Sequence, residues 1–152
     1  MAKMPKLRIL HADDDESFRL LVRTMFESDE TLTALCDLRI VEDGTEAVAY
    51  MRGEGAFSDR GAHPMPHLVL LDQRMNRMDG TEALREIRKL DEAARVPIFL
   101  LSTSDQLILS KEFLALGGSF CISKPLDFSK FKPLMHGIVD FSIHVLELPR
   151  SA

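Results

Sequence analysis

The stretch HLVLLDQRMNRMDG, His67–Gly80, decides the fold. Leu68, Val69, Leu70 and Leu71 make a short unbroken apolar run, the pattern of a central strand buried on both faces. The run stops on Asp72. Polar residues follow and end in Asp79-Gly80, a turn signal that opens a helix. In open α/β sheets the chemistry collects at the C-terminal ends of the strands, which is where Asp72 would stand. Alone, an aspartate closing a strand is ordinary, so the other segments decide its role.

Working outward, a helix is expected from Gly80 to Leu90 and a buried strand over PIFLL, Pro97 to Leu101, closing on Ser102-Thr103-Ser104. Upstream, LRILHA from Leu7 to Ala12 reads as a first strand ended by Asp13-Asp14-Asp15. Glu16 to Ser28 then places Phe18, Leu21, Val22, Met25 and Phe26 at helical spacing, with acids near the positive end of the helix dipole. A second strand is expected over Leu38–Val41 and a short helix over Thr45–Arg52. Gly53 to Pro66 is a loop longer than the usual few residues. Beyond the fourth strand, a helix from about Asp105 to Leu116 stops at Gly117-Gly118. Ser119–Ser123 reads as a fifth strand, followed by Lys124-Pro125. A last helix runs from near Asp127 to about Leu146, with Pro133 kinking it or delaying its start.

Five alternations of strand and helix predict a doubly wound α/β domain, a parallel sheet covered by helices on both faces. The first strand is not followed by a glycine-rich phosphate loop, which leaves the dinucleotide-binding form of this architecture without support. The expected single domain spans residues 6–148, with tails 1–5 and 149–152.

The 152 residues, 45% hydrophobic and 28% charged, suit one soluble globular domain with a real core. A net charge of −5 without a basic stripe argues against nucleic acid. Nothing resembles a signal peptide or membrane span, so no membrane contact is expected. Cys36 and Cys121 lie far apart, without metal-type spacing, and point to a reduced, cytoplasmic setting. His63 and His67 are four apart, but Pro64 and Pro66 keep them off a common helix.

The strand ends carry the chemistry. Asp13, Asp14 and Asp15 follow strand one, Asp72 ends strand three, Ser102 follows strand four and Lys124 follows strand five. Converging carboxylates repel: two unit charges about 4 Å apart cost roughly 4 kcal/mol at an effective dielectric near 20. Such a cluster holds a proton or a cation, and oxygen-only ligands with little cage suit Mg²⁺. Asp72 would then be metal ligand and nucleophile, forming an acyl phosphate. Lys124 would bring a compact positive charge to one phosphoryl oxygen and the Ser102 hydroxyl a hydrogen bond to another. Taken singly these are solvated acids, a strand-end serine and a surface lysine. Four matched strand ends favour a site.

The motifs ADDDESFR at 12–19, LVLLDQRMNRMDG at 68–80, VPIFLLST at 96–103 and SKP at 123–125 resemble the receiver domain of two-component response regulators over nearly the whole chain. The resemblance implies the strand order 2-1-3-4-5. It also makes Asp13 and Asp14 the acidic pair, Asp72 the phosphoacceptor, Ser102 the switch hydroxyl and Lys124 the invariant lysine. The Arg74 carbonyl would be the remaining protein ligand to Mg²⁺, and the Lys124-Pro125 bond would be cis. The implied partner is a sensor histidine kinase or phosphotransfer protein. The long loop and the tail FSIHVLELP narrow the resemblance to single-domain regulators of phytochrome-type kinases.

The chain also departs from the family. Cys121 stands where the activation switch usually has an aromatic, with Phe120 just before it. Asn76 replaces the usual proline, Arg74 occupies a position that tunes dephosphorylation, and Thr103 replaces a smaller residue beside Ser102. Three functions therefore compete: a phosphorylation-controlled switch that catalyses only its own phosphorylation and dephosphorylation; a docking or dimerising module that works without phosphorylation; and a phosphatase of the haloacid dehalogenase type. The last wants an acid two residues after the nucleophile, where Arg74 stands.

The final helix carries Phe131, Leu134, Ile138, Phe141, Val145 and Leu148 at spacings of three and four, with Met135, Val139, Ile143 and Leu146 on other sides. That is more apolar surface than one sheet face covers. It predicts a homodimer through the C-terminal helix, on the face the resemblance also favours.

Overall fold

The computed structural model describes residues 5–103 and 107–146, with side chains at 107–109 outside that description. Ser104, the start of the helix expected near Asp105, and the tail with Leu148 therefore lie outside the described residues. Five strands form one parallel sheet: β1 (Leu7–Ala12), β2 (Cys36–Val41), β3 (Leu68–Asp72), β4 (Ile98–Ser102) and β5 (Phe120–Ser123). Their order is β2-β1-β3-β4-β5, as the resemblance implied.

Alternation along the strands builds two cores. Leu10, Ala12, Val69, Leu71, Ile98 and Leu100 point to one face, under α3 (Gly44–Arg52), α4 (Gly80–Ile87) and α5 (Leu107–Ala115). Leu7, Ile9, Leu68, Leu70, Phe99 and Leu101 point to the other, under α1 (Glu16–Ser28) and α6 (Phe131–Val145). All of β3 is buried, which is why its sequence reads as an unbroken apolar run.

Several expectations need correction. A short helix, α2 (Glu30–Leu35), stands between α1 and β2, and β2 begins at Cys36 rather than Leu38. Asp29 makes this junction without glycine. Its N–H bonds the Met25 carbonyl to close α1, and its Oδ1 accepts from Leu32 N at 2.9 Å to open α2. The helix expected to reach Leu90 ends at Ile87. The last helix starts at Phe131, after a single 3-10 turn at Phe128–Lys130. Pro133 lies in its first turn, where a missing N–H costs nothing.

The Lys124–Pro125 bond, expected cis, is trans; none of the described residues has a cis peptide. Trans is the lower-energy form for X-Pro by about 0.5–1 kcal/mol. In that form the Lys124 N–H still reaches the Ser102 carbonyl at 2.8 Å.

Candidate acidic site at the carboxyl edge of the sheet

Strand order reverses between β1 and β3, so the loops after these neighbouring strands diverge to opposite faces and leave a crevice. Asp13 follows β1 and Asp72 ends β3. One oxygen from each of Asp13, Asp14 and Asp72 lies within 4.8 Å of the others. Asp13 and Asp72 are buried and Asp14 half-buried. β5 delivers Lys124 to the same place: its Nζ lies 2.6 Å from Asp13 Oδ2 and 3.2 Å from Asp72 Oδ1. The predicted acids and lysine are thus brought together.

Burial raises the Asp72 carboxyl to about 6, and the Asp13 charge adds to this; Lys124 offsets only part of it. Burial also works against charge on Asp13. The nearby His11 ring, the Lys124 ammonium and the Asp15 N–H at 2.9 Å outweigh that and hold Asp13 below the usual carboxylate range. Lys124 is half-buried, which works against its charge, but its two carboxylate neighbours keep it above the ordinary lysine value. Asp13 and Lys124 therefore form the charged pair. Asp72 is the group nearest to taking up a proton.

The loop between β3 and α4 is braced at several points. Gly80 N donates to the Gln73 carbonyl, and Gln73 Oε1 accepts from both N and Oγ1 of Thr81. A side chain at Gly80 would collide with the Asp72 carbonyl and Leu100, so glycine is required there. Asn76 N donates to Asp14 Oδ2 at 3.1 Å. Arg77, at φ 63°, sends its guanidinium to Asp43 Oδ2, while Asp43 Oδ1 caps α3 through Glu46 N. Sequence reasoning missed the Gln73–Thr81 and Asp43–Arg77 braces. The only signal in the sequence is Asp43-Gly44, a turn dipeptide ahead of the helix.

Ser102 is buried at the end of β4, level with Ser123 in β5. The Arg74 side chain is exposed, two residues beyond Asp72, and Thr103 is exposed beside Ser102. Cys121 is half-buried on β5, and burial raises its thiol.

The acidic cluster offers only oxygen donors, which fits a hard divalent cation rather than a soft one. Asp13 and Asp14 on one side and Asp72 on the other would hold it, next to a lysine already in place.

The chain matches the family model described as response regulator receiver domain over residues 9–135. The response regulator Rcp1 of Synechocystis sp. is 29% identical over 148 residues, covering 95% of this chain and 94% of that protein. A phosphorylated cyanobacterial phytochrome response regulator, RcpA, superposes with a TM-score of 0.83 at 28% identity, over 95% of this chain and 99% of that one. The Mn²⁺-bound form of Rcp1 gives a TM-score of 0.79 at 26% identity, with the same coverage of both chains.

Proposed function

The chain belongs to the response regulator receiver domain family, and from that premise we propose that Asp72 accepts a phosphoryl group from a histidine kinase. The observation that carries this reading is the convergence of Asp13, Asp14 and Asp72 at the sheet edge, with Lys124 paired to Asp13 and Asp72. A carboxylate oxygen of Asp72 attacks phosphorus, the bond from phosphorus to the kinase histidine breaks, and that imidazole leaves with the electron pair. Lys124 then stands within reach of the phosphoryl oxygens, held by Asp13 when Asp72 gives up its share of the ammonium. The Ser102 hydroxyl donates to a second oxygen.

Asp13, Asp14, Asp72 and the Arg74 carbonyl are the proposed ligands of Mg²⁺. The cation supplies charge neutralisation among the carboxylates and phosphoryl oxygens. The Mn²⁺-bound form of Rcp1 supports divalent metal at this site. Likeness to Rcp1 and RcpA supports a phytochrome-type sensor kinase as partner. We assign the receiver domain to residues 6–148, working in the cytoplasm and catalysing only its own phosphorylation and dephosphorylation.

Phe120, Phe141 and Val145 are 50%, 49% and 58% exposed, and the two rings meet edge to face at 6.4 Å. This apolar patch on β5 and α6 supports a homodimer in which the same face serves both copies.

Acetyl phosphate with Mg²⁺, followed by intact mass, tests the central claim. The parent gains one phosphoryl group, whereas Asp72→Asn and EDTA-treated protein gain none. Full labelling of Asp72→Asn would refute the assignment. A parent that never labels yet binds its partner would favour the phosphorylation-independent docking module, a reading to which Cys121 at the aromatic switch position lends weight.

A further inference from the structure

Lys124 has a third neighbour besides its two carboxylates. Its Nζ lies 3.9 Å from the centroid of the Phe18 ring. Phe18 is in the first turn of α1, where its N–H is held by the capping Asp15 Oδ1 at 3.2 Å. Its ring is fixed from several sides: Phe131 meets it edge-on at 5.2 Å, Phe128 at 5.9 Å, and His11 tilts against it at 6.1 Å. An ammonium has three donors on a flexible four-carbon stem. Two of them point to Asp13 and Asp72, and the aromatic face closes the remaining side.

We infer that Phe18 is a positioning residue that holds the Lys124 ammonium between Asp13 and Asp72 through its aromatic face. A ring present only to fill the core would turn its face to apolar neighbours. This one is half-buried and turns its face to a cation. The carboxylates alone do not fix the ammonium, because Asp72 gives up its share of it to an arriving phosphoryl group, and Asp13, which keeps hold of it, also shares its charge with an arriving cation. The ring does neither. Phe18 also touches Phe128, in the 3-10 turn before α6, and Phe131, the first residue of α6, so the lysine is tied to the helix that carries the exposed apolar patch. The inference rests on the function proposed above and adds to it a residue outside the acidic cluster.

Two measurements test it, on the parent, Phe18→Leu and Phe18→Tyr. The first is NMR of ¹³C-lysine-labelled, metal-free protein, with the Lys124 ε-methylene assigned by its loss in Lys124→Arg. Ring currents displace that signal upfield in the parent and Phe18→Tyr, and it returns to the ordinary position in Phe18→Leu. The second is phosphorylation by acetyl phosphate at saturating Mg²⁺. In Phe18→Leu the limiting rate falls about three- to tenfold, in keeping with one partly desolvated cation–π contact. Half-saturating acetyl phosphate and Mg²⁺ affinity stay within about twofold, since those report binding and not lysine placement. Phe18→Tyr restores the rate. Should Phe18→Leu not fold, Phe18→Met removes the ring with a flexible side chain of similar volume and takes its place.

An undisplaced Lys124 signal in the parent, a parent-like rate without the ring, or failure of Phe18→Tyr to restore it would each overturn the inference. A parent with the displaced signal that takes no phosphoryl group would instead overturn the phosphoacceptor reading, and the placement of Lys124 would stand on the NMR result.

Discussion

Lys124 Nζ is 2.6 Å from Asp13 Oδ2 and 3.2 Å from Asp72 Oδ1, so the ammonium leans away from the carboxylate at the end of the central strand. Asp13 is thereby kept charged, while Asp72 carries the burial and repulsion of the cluster. The site holds its proposed phosphoacceptor in the least compensated position.

That imbalance makes the charge on Asp72 a burden on folding. Its folded value, about 6, lies above the ordinary 3.8, so the native state binds the extra proton between those values. The contribution of this group to stability is then fullest below pH 4 and is lost as pH rises through 6. Asp72→Asn removes the burden. In metal-free buffer at pH 7.5 it should be more stable than the parent by about 2–3 kcal/mol, the size of the shift. The gap should close as pH falls from 6 to 4. Urea unfolding across that range checks both the sign and the window.

Arg77 combines an ion pair with a backbone conformation that L side chains rarely adopt. Its side chain is largely exposed, so solvent screening leaves the pair only a small contribution. The positive φ costs about as much. Arg77→Gly should therefore be close to neutral. Arg77→Ala, which loses the pair and keeps the strain, should fall below Arg77→Gly by about 1 kcal/mol. Chemical denaturation of the two variants decides the order.

The carboxyl edge was largely legible in the sequence, and the reason is physical. A strand buried on both faces has to be apolar throughout, so the residue that breaks the run, Asp72, marks where it leaves the core. Lys124 and Ser102 follow similar short runs. What escaped was whatever depends on one loop meeting another. Asp43 and Arg77 are 34 positions apart, and no local pattern pairs them. Likewise α2 carries Thr31 and Thr33, poor helix formers, and owes its start to the Asp29 cap. On α6 the spacing identified surplus apolar surface but not its division. Phe131 and Ile138 go inward with Met135, Val139 and Ser142, while Phe141 and Val145 face outward.

Asp29 joins three helices. Besides capping α2 it accepts from His136 Nε2 at 2.7 Å and pairs with Lys132 Nζ at 3.3 Å, both on α6. The Leu32 N–H, then His136, hold its carboxyl at about 2. A carboxylate lowered in this way stabilises the fold above its ordinary value near 3.8, and the stabilisation disappears as pH falls towards 2. Asp29→Asn should therefore lower the Tm at neutral pH, with the difference narrowing through that acid window. Thermal melts at pH 7 and in steps below pH 4 test it.

Placing charge on the outward face of α6 should separate assembly from folding. Phe141→Glu with Val145→Lys alters two exposed residues and leaves the buried row intact. Truncation after Asp140 would instead remove buried Ser142. The double variant is expected to keep the parent's Tm within a few degrees and to run as a monomer by light scattering at tens of micromolar. A parent that is itself monomeric, with and without phosphoryl mimic, would rule this dimer out.

The distance along the chain between Asp13 and its lysine, 111 positions, has a consequence for how the molecule forms. β1 and β3 pair directly and bring Asp13 and Asp72 together; the compensating cation arrives only with β5, at the far edge of the sheet. A partly folded chain lacking that strand carries the full repulsion of its own acidic cluster. Refolding at neutral pH is therefore expected to slow at the docking of the last strand, and stopped-flow refolding in mild acid or with a divalent cation should show that delay shortened.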